Sequence, residues 1–270
     1  MKLETASKRI GLALSGGAIR GIAHIGVLKV LAEFGLMPSI VAGTSIGSII
    51  GAGIASGMSW QELAGMARQV FWPSLLHGGS LERFCACRFP SSFADLKIPF
   101  VAVATALPSK RTVVLNAGRL APAISASCAL RGRRPLILAG QRLKDGGFSC
   151  VLPSEVCREL GANTVIASDV WEFSALLRGA GITHTHRHAQ TAYPAHYMRA
   201  VRCTDVLIQP RIPLSSYVLA PGFVDRLIAS GEAAARRALE SSWLDLRGDA
   251  NAVATMDQPG TGGISFSPGA

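Results

Sequence analysis

Charge and aromatic rings are both scarce in this sequence: 16% of its 270 residues are charged and 6% are aromatic. With 49% of the residues hydrophobic, so little charge excludes a chain disordered throughout, since disorder requires low hydrophobicity and high net charge. Acids are the scarcer sign, 17 against 27 Lys and Arg, which leaves a formal net charge of +10. An excess of that size draws polyanions, either nucleic acid or an anionic membrane surface. Zinc-finger spacing, an aromatic RNA-binding signature and a basic helical arm are all missing. The expectation is therefore peripheral contact with anionic headgroups and no nucleic acid, with a basic surface that has no partner as the plain alternative.

Cysteines are few as well, six in all, at positions 85, 87, 128, 150, 157 and 203. Only Cys85 and Cys87 are close together, and neither a Cys-x-x-Cys pair nor a His/Cys ligand set accompanies them. No metal site is expected, and reduced thiols are the default. A secretory leader is not evident either. Residues 1–9 are polar and basic, and the apolar stretch after them is broken by Ser15-Gly16-Gly17 and Arg20. A cytoplasmic location, peripheral at a membrane, is the expectation. One stretch, residues 39–61, lacks charge altogether and has the length of a membrane span, about 20 residues. Its richness in Gly, Ser and Ala instead describes a buried strand, a turn and a small-residue core helix.

The length suits one large core, since single α/β domains run to about 200–250 residues. Short apolar strands are expected at residues 9–14, 40–42, 99–104, 111–115, 164–167 and 206–208. Helical periodicity marks 21–34, 45–56, 121–130, 152–160 and 223–239, and Ser59 with Glu62 forms a capping-box pattern. Residues 73–98 read as irregular, and 180–200 as a polar stretch bearing histidines. Alternating strands and helices predict an α/β layered domain around a mostly parallel sheet. It is expected to span residues 9–247, with a flexible tail of Gly, Pro, Ser and Thr over 248–270.

Three elements carry chemistry. Gly43-Thr44-Ser45-Ile46-Gly47 is a G-x-S-x-G at a strand–helix junction. There a serine projects from a sharp turn, the flanking glycines relieve crowding, and the helix N-terminus faces the reacting carbonyl. Ser15-Gly16-Gly17-Ala18-Ile19-Arg20-Gly21 is a Gly-rich loop between a strand and a helix, suited to offering N–H donors to an anion. It lacks the Lys-Ser/Thr of a phosphate loop and the glycine pattern of a dinucleotide loop. Lys144-Asp145-Gly146-Gly147 supplies an acid, which a nucleophilic serine needs as its base.

In this order the three elements resemble the patatin-like phospholipase family. The resemblance is closest over residues 10–56. It continues through Ile98-Pro99, Ala126-Ser127-Cys128-Ala129, Leu152-Pro153 and residues 161–169. It implies a three-layer α/β/α fold and a Ser–Asp dyad that hydrolyses lipid esters without cofactor or metal. Ser45 would be the nucleophile, Asp145 the base, Gly16, Gly17 and Ala18 the oxyanion donors, and Arg20 with Gly21 the support of that loop. Gly43 and Gly47 would form the elbow, and Gly146 and Gly147 the turn after the acid. The sequence departs from the family at Ala18, at Leu130-Arg131-Gly132-Arg133-Arg134 and at Phe148-Ser149-Cys150-Val151. If position 18 requires a positive φ, alanine there is expected to shift one donor. Two rival readings remain. One is a Ser-Asp-His hydrolase drawing on Asp145 or Asp169 and His184, His186, His188 or His196; the other is a non-catalytic membrane-associated module. His24, on an apolar helix face, reads as structural.

Overall fold

The computed structural model describes residues 9–70, 72–76, 79–130, 134–171, 194–212 and 221–254. Its strands are β1 (Ile10–Leu14), β2 (Ile40–Thr44), β3 (Phe100–Leu107), β4 (Thr112–Leu115), β5 (Leu136–Leu138), β6 (Gln141–Asp145), β7 (Thr164–Ser168) and β8 (Val206–Ile208). They form one sheet in the order β5-β6-β3-β2-β1-β7-β8, with β4 joined to β3 off this path. Strands β3, β2, β1, β7 and β8 are mutually parallel, whereas β4, β5 and β6 pair antiparallel.

The parallel strands are buried on both faces and read as continuous apolar runs, as strands covered by helices on both sides must. Side chains alternate between two cores. Leu12, Leu14, Val41, Phe100, Ala102 and Ile166 meet one set of helices: α1 (Ala23–Glu33), α2 (Ile46–Ala55), α3 (Trp60–Gln69) and α8 (Phe223–Ala254). Ala13, Ala42, Val101, Val103, Val165 and Ala167 meet α6 (Ser154–Glu159) and α7 (Ala195–Arg202) on the opposite face. The three-layer α/β/α architecture expected from the sequence is the one observed. The uncharged residues 39–61 hold β2, α2 and the start of α3, and among the described residues no helix is long and apolar enough to cross a membrane.

Three expectations need correction. Residues 73–98 are not irregular, since they contain α4 (Ser80–Arg88), which packs Leu81 and Cys85 into the first core. Its pattern escaped periodicity because only two of its residues are buried. The β5–β6 hairpin was not anticipated either, because Arg142 and Lys144 interrupt its apolar residues. Helix α8 runs to Ala254, past the helical periodicity read over 223–239; residues 255–270 lie outside the described ones. The capping box at Ser59 forms as read, with both reciprocal hydrogen bonds to Glu62.

Along β3, strand β4 lies against Ala102–Thr105 on one edge. The other edge is shared: β2 pairs with Phe100–Val103, and β6 with Ala104–Leu107. Because β2 runs parallel to β3 and β6 antiparallel, their carboxyl ends meet there, Thr44 opposite Val103 and Asp145 opposite Ala104. This end-to-end junction of two strands on one edge creates the site.

Candidate active site

Ser45 follows β2 directly and adopts φ 53°, ψ −124°, a conformation a non-glycine residue holds only when its surroundings impose it. The imposing contacts are specific. The Ser45 N–H donates to Ser127 Oγ at 2.9 Å, and Ser127 Oγ donates to the Val103 carbonyl at 2.6 Å. Ser48 Oγ donates to the Ser45 carbonyl at 2.6 Å. A Cβ on Gly43 would stand 2.3 Å from the Gly47 carbonyl oxygen, and one on Gly47 2.3 Å from that of Leu14. The sharp turn therefore requires both glycines of the pentapeptide.

The Ser45 hydroxyl donates to Asp145 Oδ2 at 2.7 Å. The Gly147 N–H donates to Asp145 Oδ1 at 2.8 Å, and the Asp145 carbonyl accepts from Thr105 Oγ1 at 2.8 Å. Both Ser45 and Asp145 are 6% exposed. Burial raises the Asp145 carboxyl above its ordinary range, partly offset by the hydrogen bonds from Ser45 and Gly147 and by the charge of Lys144. Gly146, the first residue after the acid, begins the 3-10 turn Gly146–Phe148.

The Gly-rich loop closes the other side. Arg20 Nε donates to the Gly17 carbonyl at 2.9 Å, bracing the loop, and Gly21 packs against Ile46 at the start of α2. The N–H groups of Gly17 and Ala18 have no acceptor among the described residues. Gly16 departs from expectation: its N–H donates to the Val151 carbonyl at 2.9 Å, which removes it from the available donors. Ala18 has φ 51°, so the position does require the left-handed conformation, and alanine adopts it. Together Gly16, Gly17, Ala18, Arg20, Ser45, Asp145 and Gly147 line a cleft of about 360 Å³. Leu130, Phe148, Val151 and Trp171 form its apolar wall. The sequence reading missed that wall and the seat that Ser127 makes for the Ser45 amide. Only the Ala126-Ser127-Cys128-Ala129 match hinted at Ser127.

Two other polar groups lie deep in the fold. His24 is fully buried, with Nε2 donating to the Ser15 carbonyl at 3.0 Å and Nδ1 accepting from Ser168 Oγ at 2.7 Å. Burial lowers its pKa to about 4, so it is neutral and structural, as read. Asp169 accepts from Tyr197 Oη, Gln209 Nε2 and the Trp171 N–H, and burial raises its carboxyl. No described histidine hydrogen-bonds Ser45 or Asp145; His196 lies on α7, and His184, His186 and His188 fall outside the described residues, as do Arg131 and Arg133. Among the described residues no group of His, Cys, Asp or Glu is placed to hold a metal ion.

Comparison with known proteins agrees with the family resemblance. The family model described as patatin-like phospholipase matches residues 12–72, the segment holding the Gly-rich loop and the serine turn. Patatin-like phospholipase domain-containing protein 6 of Homo sapiens is 35% identical over 181 residues, covering 60% of this chain and 13% of that protein. Lysophospholipase NTE1 of Cryptococcus neoformans is 34% identical over 181 residues, covering 60% of this chain and 11% of that one. The match thus spans only a small part of these much longer relatives. Among solved structures, VipD of Legionella pneumophila superposes with a TM-score of 0.61 at 13% identity, covering 87% of this chain and 67% of that one. At that identity the likeness concerns the fold alone.

Proposed function

We propose that this chain, a relative of the patatin-like phospholipases, hydrolyses carboxylic esters of lipids through a Ser45–Asp145 dyad and an acyl-serine intermediate. The observation that carries the reading is the 2.7 Å hydrogen bond from the Ser45 hydroxyl to Asp145 Oδ2, on a serine held at a positive φ. In the first half-reaction Ser45 Oγ attacks the ester carbonyl while its proton passes to Asp145 Oδ2. The tetrahedral oxyanion is received by the N–H groups of Gly17 and Ala18, preorganised on a loop braced by Arg20. Collapse expels the alcohol, which takes the proton back from Asp145. In the second half-reaction Asp145 deprotonates a water that attacks the acyl carbonyl, and Ser45 regains its proton as the free acid leaves.

The raised carboxyl pKa suits this role, because a stronger base accepts the serine proton more readily. Serine, acid and amide donors complete the chemistry, so the proposal needs neither metal nor organic cofactor. Lipid is the substrate class favoured by the apolar wall of Leu130, Phe148, Val151 and Trp171, which suits an acyl chain, and by the lysophospholipase name of one relative. The test is a panel of acyl esters with wild type and Ser45→Ala, together with labelling by a fluorophosphonate. Wild type should turn over and label, and the folded variant should do neither; wild-type turnover in Ser45→Ala would end the proposal.

A further inference from the structure

The positive charge of the chain is not spread evenly. Between Asp95 and Asp145 the sequence contains no acid and nine Lys or Arg residues, so this stretch carries nine of the ten net charges. Its described residues include β3, α5 and the antiparallel end of the sheet, where β3 continues past the end of β2 beside the site. From Ala104 to Leu107 that extension rises about 10 Å beyond the level of Ser45, at roughly 3.3 Å per residue.

On one face the extension packs Ala104, Ala106 and Leu143 against Ala126 of α5 (Leu120–Ser127). On the other face Arg142 pairs directly with Ile137, which is 70% exposed. Lys110 and Arg111 lie at the β3–β4 tip, level with the Leu107–Arg142 pair across β3, and Arg134 enters β5. Lys110, Arg111, Arg134 and Arg142 are all exposed, and none makes an ion pair with a described residue. The described ion pairs fasten α1, α3, α6, α7 and α8 around the parallel strands instead. Lone cations around an exposed aliphatic side chain suit a headgroup layer, where the charge meets phosphate and the side chain enters the acyl boundary. Single-stranded nucleic acid would call for aromatic side chains between the cations, and residues 107–111 and 134–144 contain none.

We infer that the β3–β4 and β5–β6 hairpins form a docking ridge for an anionic lipid bilayer, with Lys110, Arg111, Arg134 and Arg142 contacting headgroups and Ile137 inserting between them. The inference rests on the ester-hydrolase reading for its purpose, which is to hold the cleft mouth, marked by the half-exposed Phe148, against the layer that contains substrate.

The experiment compares sedimentation with phosphatidylcholine vesicles and with equimolar phosphatidylserine–phosphatidylcholine vesicles, at low and high salt. The proteins are wild type, a ridge variant and a charge-matched control. The ridge variant carries Lys110→Gln, Arg111→Gln, Arg134→Gln and Arg142→Gln; the control carries Arg83→Gln, Arg88→Gln, Arg226→Gln and Arg237→Gln. Hydrolysis of a soluble short-chain ester and binding of an RNA homopolymer are measured in parallel. Wild type should bind the anionic vesicles in a salt-sensitive way, and the ridge variant should lose about tenfold or more of that binding while the control keeps it. Soluble-ester turnover should be equal in all three. Equal loss in the control, no preference of wild type for anionic vesicles, or RNA binding that outcompetes vesicles through the same four residues would overturn the ridge. Failure of soluble-ester hydrolysis in wild type would instead remove the enzymatic reading and leave the vesicle result standing on its own.

Discussion

The parallel and antiparallel portions of the sheet contribute opposite things to the same site. The parallel portion is helix-covered on both faces, holds the described ion pairs among its surrounding helices, and supplies Ser45 from a strand buried along its whole length. The antiparallel portion is backed by α5 on one face, carries Lys110, Arg111, Arg134 and Arg142 with no ion pair to a described residue, and supplies Asp145 from a strand whose first residues are exposed. Burial is greatest where the backbone of Ser45, the proposed nucleophile, is held at a positive φ. The antiparallel side is the more exposed of the two. That division follows from cost, since a strained turn persists only when packing over-determines it, whereas an acid needs only its partner and one or two donors.

Replacing the acid tests the antiparallel contribution with the largest expected effect. Asp145→Asn should lower ester turnover by roughly 10³-fold or more, because the amide cannot take the serine proton. In wild type, turnover should rise with pH through the elevated Asp145 pKa, since the base must be ionised. Stability should move the other way. A folded-state pKa raised by burial means that stability is fully present in acid and is lost as pH rises through that pKa. The asparagine variant escapes this loss and should be more stable than wild type near neutral pH, with no advantage in acid. Urea melts across pH, beside rate profiles, would check both signs. A variant less stable than wild type at neutral pH would contradict the account of Asp145 burial.

The parallel contribution is broken at Gly43. Its added methyl would meet the Gly47 carbonyl at 2.3 Å, a backbone atom that cannot swing aside. Gly43→Ala should therefore destabilise the fold by at least about 3 kcal/mol, readable as a lower urea midpoint. A change under 1 kcal/mol, on the scale of an ordinary surface substitution, would show the elbow to be far softer than its geometry says.

Ala18→Gly should have the smallest effect and sharpens the comparison at the loop facing both portions. Alanine at φ 51° costs on the order of 1 kcal/mol, and glycine returns much of that gain as extra freedom of the unfolded chain. Stability should change by less than about 1 kcal/mol, and turnover by less than about tenfold, since the donor already sits in the conformation that glycine would adopt. A much larger rise in turnover would mean that alanine displaces the Ala18 N–H.

What the sequence determined by itself was local. Apolar runs marked β1, β2, β3 and β7, Ser59 and Glu62 marked a helix start, and the glycines around Ser45 and before Ala18 marked two turns. Each follows from a preference acting over a few residues, and the order of the three motifs was enough to place the chain beside its relatives. The motifs named Asp145 as the candidate acid, but tertiary structure brought it, 100 positions from Ser45, within 2.7 Å of the serine, because two strands of opposite direction end on one edge of β3. It also committed the Gly16 amide to Val151, set Ser127 beneath the Ser45 amide, and gathered scattered cations onto two hairpins with no acid between them. Strand pairing and hydrogen-bond competition are settled between residues far apart in the chain, so they leave no periodic trace in the sequence.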